Sequence, residues 1–152
     1  PIGDFTRGNE YTVLTPPAKF SVLICFEDIF PEISRQFVKK GADFLVNITN
    51  DAWFGKTSSP YQHLQASVFR AVENRVFLVR AANTGISGFI HPVGRIISEV
   101  ADSAGSDIFI SGYKTQEILI KRNQTFYTQC GDVFVLLMSI VALYGIITKI
   151  RL

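Results

Sequence analysis

Two short apolar runs constrain the fold of this chain more than any other feature. Phe20-Ser21-Val22-Leu23-Ile24-Cys25 and Asp43-Phe44-Leu45-Val46-Asn47-Ile48-Thr49 both have the apolar, β-branched character of buried strands. Between them Pro31 sits where a first helical turn begins. Ile33, Gln36, Phe37 and Lys40 then recur at helical spacing, and Gly41 closes the helix as a C-cap residue. Strand, helix, strand is the unit of an α/β sheet, and the second run reads as a parallel strand.

The rest of the chain extends that sheet. After the polar loop from Asn50 to Ser59, a longer helix is predicted from about Pro60 to about Arg75, with Leu64, Val68, Ala71 and Val72 as its apolar stripe. Val76 to Ala81 reads as a third strand. Asn83-Thr84-Gly85 turns the chain into Ile86 to Ile90, and Pro92-Val93-Gly94 turns it again into Arg95 to Val100, a hairpin. Asp107 to Ile110 and Glu117 to Lys121 are expected to finish the sheet. No repeat or low-complexity tract interrupts this order, and 152 residues suit one domain.

Fifteen Lys and Arg against 13 Asp and Glu, scattered along the chain, give no nucleic-acid footprint. The apolar share is 47% and the mean hydropathy +0.24, and the excess lies at one end. From Val133 to Ile147 there is no charge, and Lys149 and Arg151 follow. A spanning helix needs roughly 20 apolar residues, and Thr148, Ile150 and Leu152, with Lys149 snorkelling, bring the run near that length. A buried core helix is the other reading. The run is apolar on all faces and has basic residues at one end only, which favours a membrane segment with a cytoplasmic basic end and the α/β domain on the opposite side. The chain opens on Pro1 with no initiator Met and no signal-peptide pattern, so its start reads as a cut edge with further sequence upstream.

Several residues could carry chemistry. Cys25 ends a strand just before a helix. A thiol there is exposed at the carboxyl edge of the sheet, where backbone N–H groups can hold an oxyanion and the helix dipole favours the thiolate. An inert buried cysteine is the plain alternative. Glu27 lies two residues on, on the same face if the chain is extended, and could position a Lys or act as acid or base; a solvated helix-entry acid is its alternative. Asp28 and Glu32 read as first-turn acids. Asn50-Asp51-Ala52-Trp53-Phe54-Gly55 puts the only Trp in a loop at a strand's carboxyl end, where α/β sheets build pockets; its aromatics suit an apolar ligand or a plug for the core. His63, inside a helix, reads as structural, and Arg70 with Glu73 as a surface or inter-helix pair. Two cysteines, Cys25 and Cys130, make neither a disulfide framework nor a metal spacing, and Cys130 has no evident chemistry. No metal or cofactor is expected.

Together these segments form a more specific pattern. Ile24-Cys25-Phe26-Glu27-Asp28-Ile29-Phe30-Pro31-Glu32 resembles the nucleophile segment of the nitrilase, or carbon-nitrogen hydrolase, superfamily. Asn50-Asp51-Ala52-Trp53-Phe54-Gly55 with Pro60-Tyr61-Gln62-His63-Leu64-Gln65 narrows the resemblance to the apolipoprotein N-acyltransferase family. Arg80 to Ser87, Thr125-Phe126-Tyr127, Gly131-Asp132 and the opening Gly3 to Gly8 are similar to that family too.

The resemblance implies the C-terminal portion of an α/β/β/α sandwich over residues 1–126, a linker at 127–131 and a transmembrane helix at 132–152. It implies a Glu-Lys-Cys triad in which Cys25 matches the nucleophile, while the triad's Glu and Lys lie upstream. Glu27 matches a supporting carboxylate and the N–H of Phe26 an oxyanion donor. Trp53 and Phe54 would lie near an acyl-chain entrance, with Asn50 and Asp51 in the same substrate-binding loop. The implied partners are a phospholipid acyl donor, an apolipoprotein acceptor with a diacylglyceryl-modified N-terminal cysteine, and membrane lipids. The implied place is the bacterial inner membrane with the catalytic domain on the periplasmic side. A soluble amidase using water as acceptor and a non-catalytic membrane scaffold are the rival readings.

Overall fold

The computed structural model describes residues 8–15, 17–120 and 124–150. Five strands form one mixed sheet in chain order: β1 (Phe20–Ile24), β2 (Phe44–Asn50), β3 (Phe77–Asn83), β4 (Gly88–Ile90) and β5 (Ile96–Glu99). The first three run parallel, and β4 and β5 add antiparallel as the hairpin. The two crossovers carry helices α1 (Pro31–Lys39) and α2 (Ser59–Asn74). Pro31 and Pro60 occupy the opening turns, where a missing N–H costs nothing. The segment Ala71 to Val76 turns back through Arg75, whose left-handed φ of 54° ends α2.

The register explains which face the helices cover. Leu23 pairs with Asn47 and Asn47 with Arg80, so the three lie in one row across β1, β2 and β3. All three are buried, among Leu45, Leu78, Phe37, Val38, Leu64 and Ala71. A fully buried Leu of this core contributes about 1.5–3 kcal/mol. The next row, Ile24, Ile48 and Ala81, points to the other face and is exposed, as the period of two requires. The described chain is thus one layer of helices on one face of a mixed sheet.

The expected strands at 107–110 and 117–121 do not form. Residues 107–120 take no strand conformation, and Lys121 lies outside the described residues. Phe109 sits at a φ of 56°, which breaks the extended path, and its N–H goes to the Thr84 carbonyl. The Asp107 carboxylate turns instead to the Tyr61 hydroxyl at 2.7 Å. Around 117–120 the run meets no partner strand among the described residues, and Leu119 stays exposed.

The chain closes on two helices. α3 (Phe126–Cys130) is capped by the Thr125 side chain, which accepts the Thr128 N–H. Thr125 also donates to the Glu73 carbonyl at 2.7 Å, Thr128 to Asn74 at 2.9 Å, and Arg35 of α1 to the Thr128 carbonyl at 3.0 Å. These bonds fasten α3 to both α1 and α2. Gly131 then turns the chain at a φ of 68°, which favours glycine, into α4 (Val133–Ile150). Its apolar side chains are exposed on every face, from Phe134 to Ile147. Among the described residues no helix is long and apolar enough to cross a membrane.

Candidate active site

Cys25 does not continue β1. It opens a 3-10 turn, Cys25–Ile29, at a φ of 51°, a left-handed conformation that costs a non-glycine residue about 1–3 kcal/mol. Such strain persists only where neighbours enforce it, and here they come from three elements: the turn itself, β2 and α2. Glu27 Oε2 accepts the Ile24 N–H at 2.7 Å. Asn47 Nδ2, on β2, donates to the carbonyls of Cys25 at 3.0 Å and Leu23 at 3.3 Å. Arg70 Nη1, on α2, donates to the carbonyls of Asp28 at 3.1 Å and Ile29 at 3.2 Å. The thiol is free and half-buried at the carboxyl edge of the parallel strands.

Beneath the turn lies a buried set of charges. The Asp28 and Asp51 carboxylates are bridged twice. His63 reaches each of them at 2.9 Å, through Nε2 and Nδ1 respectively, and Arg80 reaches them at 3.1 and 3.0 Å. Ser67 donates to Asp28, and Arg80 Nη1 adds Ser67 at 2.9 Å and Asn47 Oδ1 at 2.8 Å. Burial alone would lower the His63 pKa and the nearby Arg80 charge works the same way. The hydrogen bonds to Asp28 and Asp51 outweigh both and push it up to about 9. Burial would likewise raise the Asp51 carboxyl, but the bond from His63 and the Arg80 charge hold it below its ordinary value. With His63 protonated, two anions face two cations. That balance is what lets the groups stay out of water.

The sequence-derived candidates separate into two sets. Phe26 and Phe54 meet edge-to-face at 5.8 Å, and both pack on the His63 ring, Phe26 at 4.8 Å and Phe54 at 6.3 Å. With Ile29, Ser59 and Gln62 they border a cavity of about 280 Å³ beside the Cys25–Ile29 turn. Trp53 is 84% exposed, at the tip of the 3-10 turn Ala52–Phe54. Asn50 is exposed, and its Oδ1 accepts from the Ala52 N–H and from Asn83. Asp51, in contrast, faces inward and is 1% exposed. Glu27 borders a separate cavity of about 460 Å³ with Glu10, Tyr11, Ile33 and Phe37.

Two local expectations are corrected. The segment after Cys25 is a 3-10 turn rather than an extended one, so Glu27 folds back over the Ile24 N–H. Asp28, read as a first-turn acid, is fully buried in the charge set, where it pairs with His63 and Arg80. Arg70 does pair with Glu73, at 2.7 Å, yet it also grips the Cys25–Ile29 turn. Asn47, Ser67 and Arg80 were not singled out from sequence. Asn47 and Arg80 each carried a signal, a strongly polar side chain at an inward position of an apolar strand.

A strained cysteine at a strand-to-turn junction, backed by this polar set on a mixed α/β sheet, makes a candidate thiol site of the nitrilase-like class. The family profile described as Carbon-nitrogen hydrolase matches residues 5–125, and the chain belongs to that family. Among proteins with established names it is 48% identical over 134 residues to the apolipoprotein N-acyltransferase of Geobacter metallireducens, covering 88% of this chain and 25% of that one. It is 39% identical to that of Thermotoga maritima, covering 97% of this chain and 29% of the other. The chain therefore spans about a quarter of the length of these relatives. Among solved structures, a Saccharomyces cerevisiae member of branch 10 of the nitrilase superfamily is 26% identical with a TM-score of 0.52, over 62% of this chain and 38% of that one. An amidase from Nesterenkonia sp. AN1, which carries the product of acrylamide addition at its active-site cysteine, is 28% identical with a TM-score of 0.51, over 63% and 41%.

Proposed function

We propose that this chain is the nucleophile-bearing, C-terminal part of an apolipoprotein N-acyltransferase and that Cys25 carries the acyl group. The observation that supports the reading most is the enforced left-handed turn at Cys25, a strained thiol at the edge where a sheet of this class places its chemistry. In the first half-reaction the Cys25 thiolate attacks the ester carbonyl carbon of a phospholipid. The N–H of Phe26 helps hold the resulting oxyanion. The intermediate collapses with loss of the lysophospholipid alkoxide, which takes up a proton, and leaves a thioester. In the second, the α-amine of the diacylglyceryl-cysteine on an apolipoprotein attacks the thioester, gives up a proton to the general base, and expels the thiolate. The base Glu and the Lys of a Glu-Lys-Cys triad belong to sequence upstream of this chain, with Glu27 as supporting carboxylate. Asn50, Asp51, Trp53 and Phe54 form the loop at the acyl-chain entrance, with Trp53 and Phe54 offering apolar surface and Asp51 anchoring the loop from below.

Residues 1–126 then complete the catalytic domain, 127–131 link it to the anchor, and 132–152 embed in the bacterial inner membrane with the basic end cytoplasmic and the domain periplasmic. The 18 residues of α4 rise about 27 Å at 1.5 Å each, and the apolar side chains exposed from Phe134 to Ile147 suit lipid. A tether of this kind keeps the thiol beside substrates that hardly leave the bilayer. The likeness to an amidase supports a second reading, with water as acceptor. Labelling of Cys25 by a lipid-like alkylator in the full-length enzyme, with turnover measured on phospholipid and on small amides, separates the two. Loss of labelling and acyl transfer in Cys25→Ala and Cys25→Ser supports the proposal, and labelling unchanged in those variants contradicts it. Amide hydrolysis without acyl transfer favours the second reading. The isolated 152-residue chain, without upstream Glu and Lys, is expected to show no turnover.

A further inference from the structure

The three residues of the buried row Leu23, Asn47 and Arg80 are neighbours across β1, β2 and β3, and the middle one does something a core asparagine need not do. Its Nδ2 reaches past its own row to the Cys25 carbonyl at 3.0 Å while also bonding the Leu23 carbonyl at 3.3 Å. It therefore spans the bend at which β1 stops and the left-handed residue begins. Both bonds require the nitrogen, not the oxygen, to face β1. Arg80 fixes that choice, because its Nη1 donates to Asn47 Oδ1 at 2.8 Å and leaves only the amino group for the carbonyls. Arg80 is in turn immobilised by Asp28 and Asp51, so the amide has no room to flip.

We propose that Asn47 is a positioning residue for the Cys25 nucleophile: by holding the Cys25 carbonyl in the orientation of a left-handed turn, it sets the direction of both the thiol and the Phe26 N–H. The peptide it grips is the one between Cys25 and Phe26, so a single hydrogen bond orients the attacking sulfur and the oxyanion donor together. Glu27 and Arg70 fasten the turn before and after this peptide, at the Ile24 N–H and at the carbonyls of Asp28 and Ile29. Asn47 alone among these three bonds the Cys25–Phe26 peptide itself. Releasing it lets the turn relax toward a right-handed conformation with the rest of the site in place. A misplacement on the scale of 1 Å costs about 100-fold in rate.

This inference rests on the reading of Cys25 as nucleophile, and the test keeps the two apart. Full-length enzyme carrying Asn47→Ala or Asn47→Asp is assayed for acyl transfer, with the rate expressed per folded molecule from its thermal unfolding transition. Asn47→Asp keeps the shape and the Arg80 partner but loses the donor, so it guards against a collapsed core in Asn47→Ala. The expected result is a fall in kcat of about 100-fold in both variants with KM little changed, and a matching fall in the rate at which iodoacetamide alkylates Cys25. Restoration of part of kcat in Asn47→Ser, which keeps a donor, strengthens it. A kcat per folded molecule equal to that of the parent, in either variant, overturns the proposal and makes Asn47 a core residue only. Activity persisting in Cys25→Ala overturns the nucleophile reading itself.

Discussion

The interior beneath Cys25 and the surface of α4 invert the usual placement of side chains. Asp28, Asp51, His63 and Arg80 are each no more than 3% exposed, while Phe134, Leu136, Val141 and Tyr144 of α4 are all more than 60% exposed. A soluble domain ordinarily places charge outside and apolar surface inside. Each departure needs its own compensation. Inside, it comes from pairing two anions with two cations, which gives rigidity at the Cys25–Ile29 turn rather than net stability. Outside, the compensation has to come from something apolar, and lipid is the proposed partner. One region is finished by its own side chains and the other is not.

Breaking the inner balance should produce the largest effect. Arg80→Met leaves two buried carboxylates facing one imidazolium and frees the Asn47 amide. Removing one partner of a buried ion pair costs about 3–5 kcal/mol. Chemical denaturation of the two proteins side by side should read a loss of that size; a loss under about 1 kcal/mol would show that water enters the cluster.

The next effect is one of pH. His63 is raised to about 9 from an ordinary value of 6.5, so its contribution is complete below pH 6.5 and is lost as pH rises through 9. The groups facing it are Asp28 from the Cys25–Ile29 turn, Asp51 from the loop after β2, and Arg80 from β3. That interval corresponds to stability on the order of 3 kcal/mol. Thermal midpoints measured from pH 6 to pH 9.5 should therefore fall more steeply in the parent than in His63→Gln. Parallel profiles would mean that the imidazole is neutral throughout.

These interior partnerships also mark where the sequence was opaque. The βαβ order, the hairpin and the position of Cys25 were legible because each depends on local periodicity or on residues close in sequence. The charge set was not. Asp28 meets His63, Ser67 and Arg80 from 35, 39 and 52 residues away. No spacing rule links positions that only strand register and helix packing bring together. His63 accordingly read as structural without its partners, and Arg70 as half of a surface or inter-helix pair without its hold on the Cys25–Ile29 turn. The false strands near 107 and 117 failed for the complementary reason. Their local composition suits a strand, but among the described residues no ladder partner stands beside them, and Phe109 takes a φ that no strand allows.

A smaller inner perturbation comes from Gly85, where an added Cβ would run into the Asp51 side chain. Gly85→Ala should cost about 1–3 kcal/mol by overpacking and displace the loop that carries Trp53. Unfolding measurements and Trp53 emission together check this, and an unchanged emission maximum would show that the loop moves independently of Asp51.

Truncation after Asp132 should have the smallest effect on the fold. α3 remains fastened by Thr125, Thr128 and Arg35, so the midpoint of the α/β domain should hold, while flotation with phospholipid vesicles should weaken. A large drop in midpoint would mean that α4 packs on the domain after all.

The central claim concerns one atom, the Cys25 sulfur. Incubating full-length enzyme with phospholipid in the absence of apolipoprotein, followed by peptide mass spectrometry, tests it most directly. The account predicts a fatty-acyl mass on the peptide containing Cys25, released by hydroxylamine and discharged when acceptor is added. An acyl adduct on another residue, or none on Cys25 in an enzyme that turns over, would contradict it.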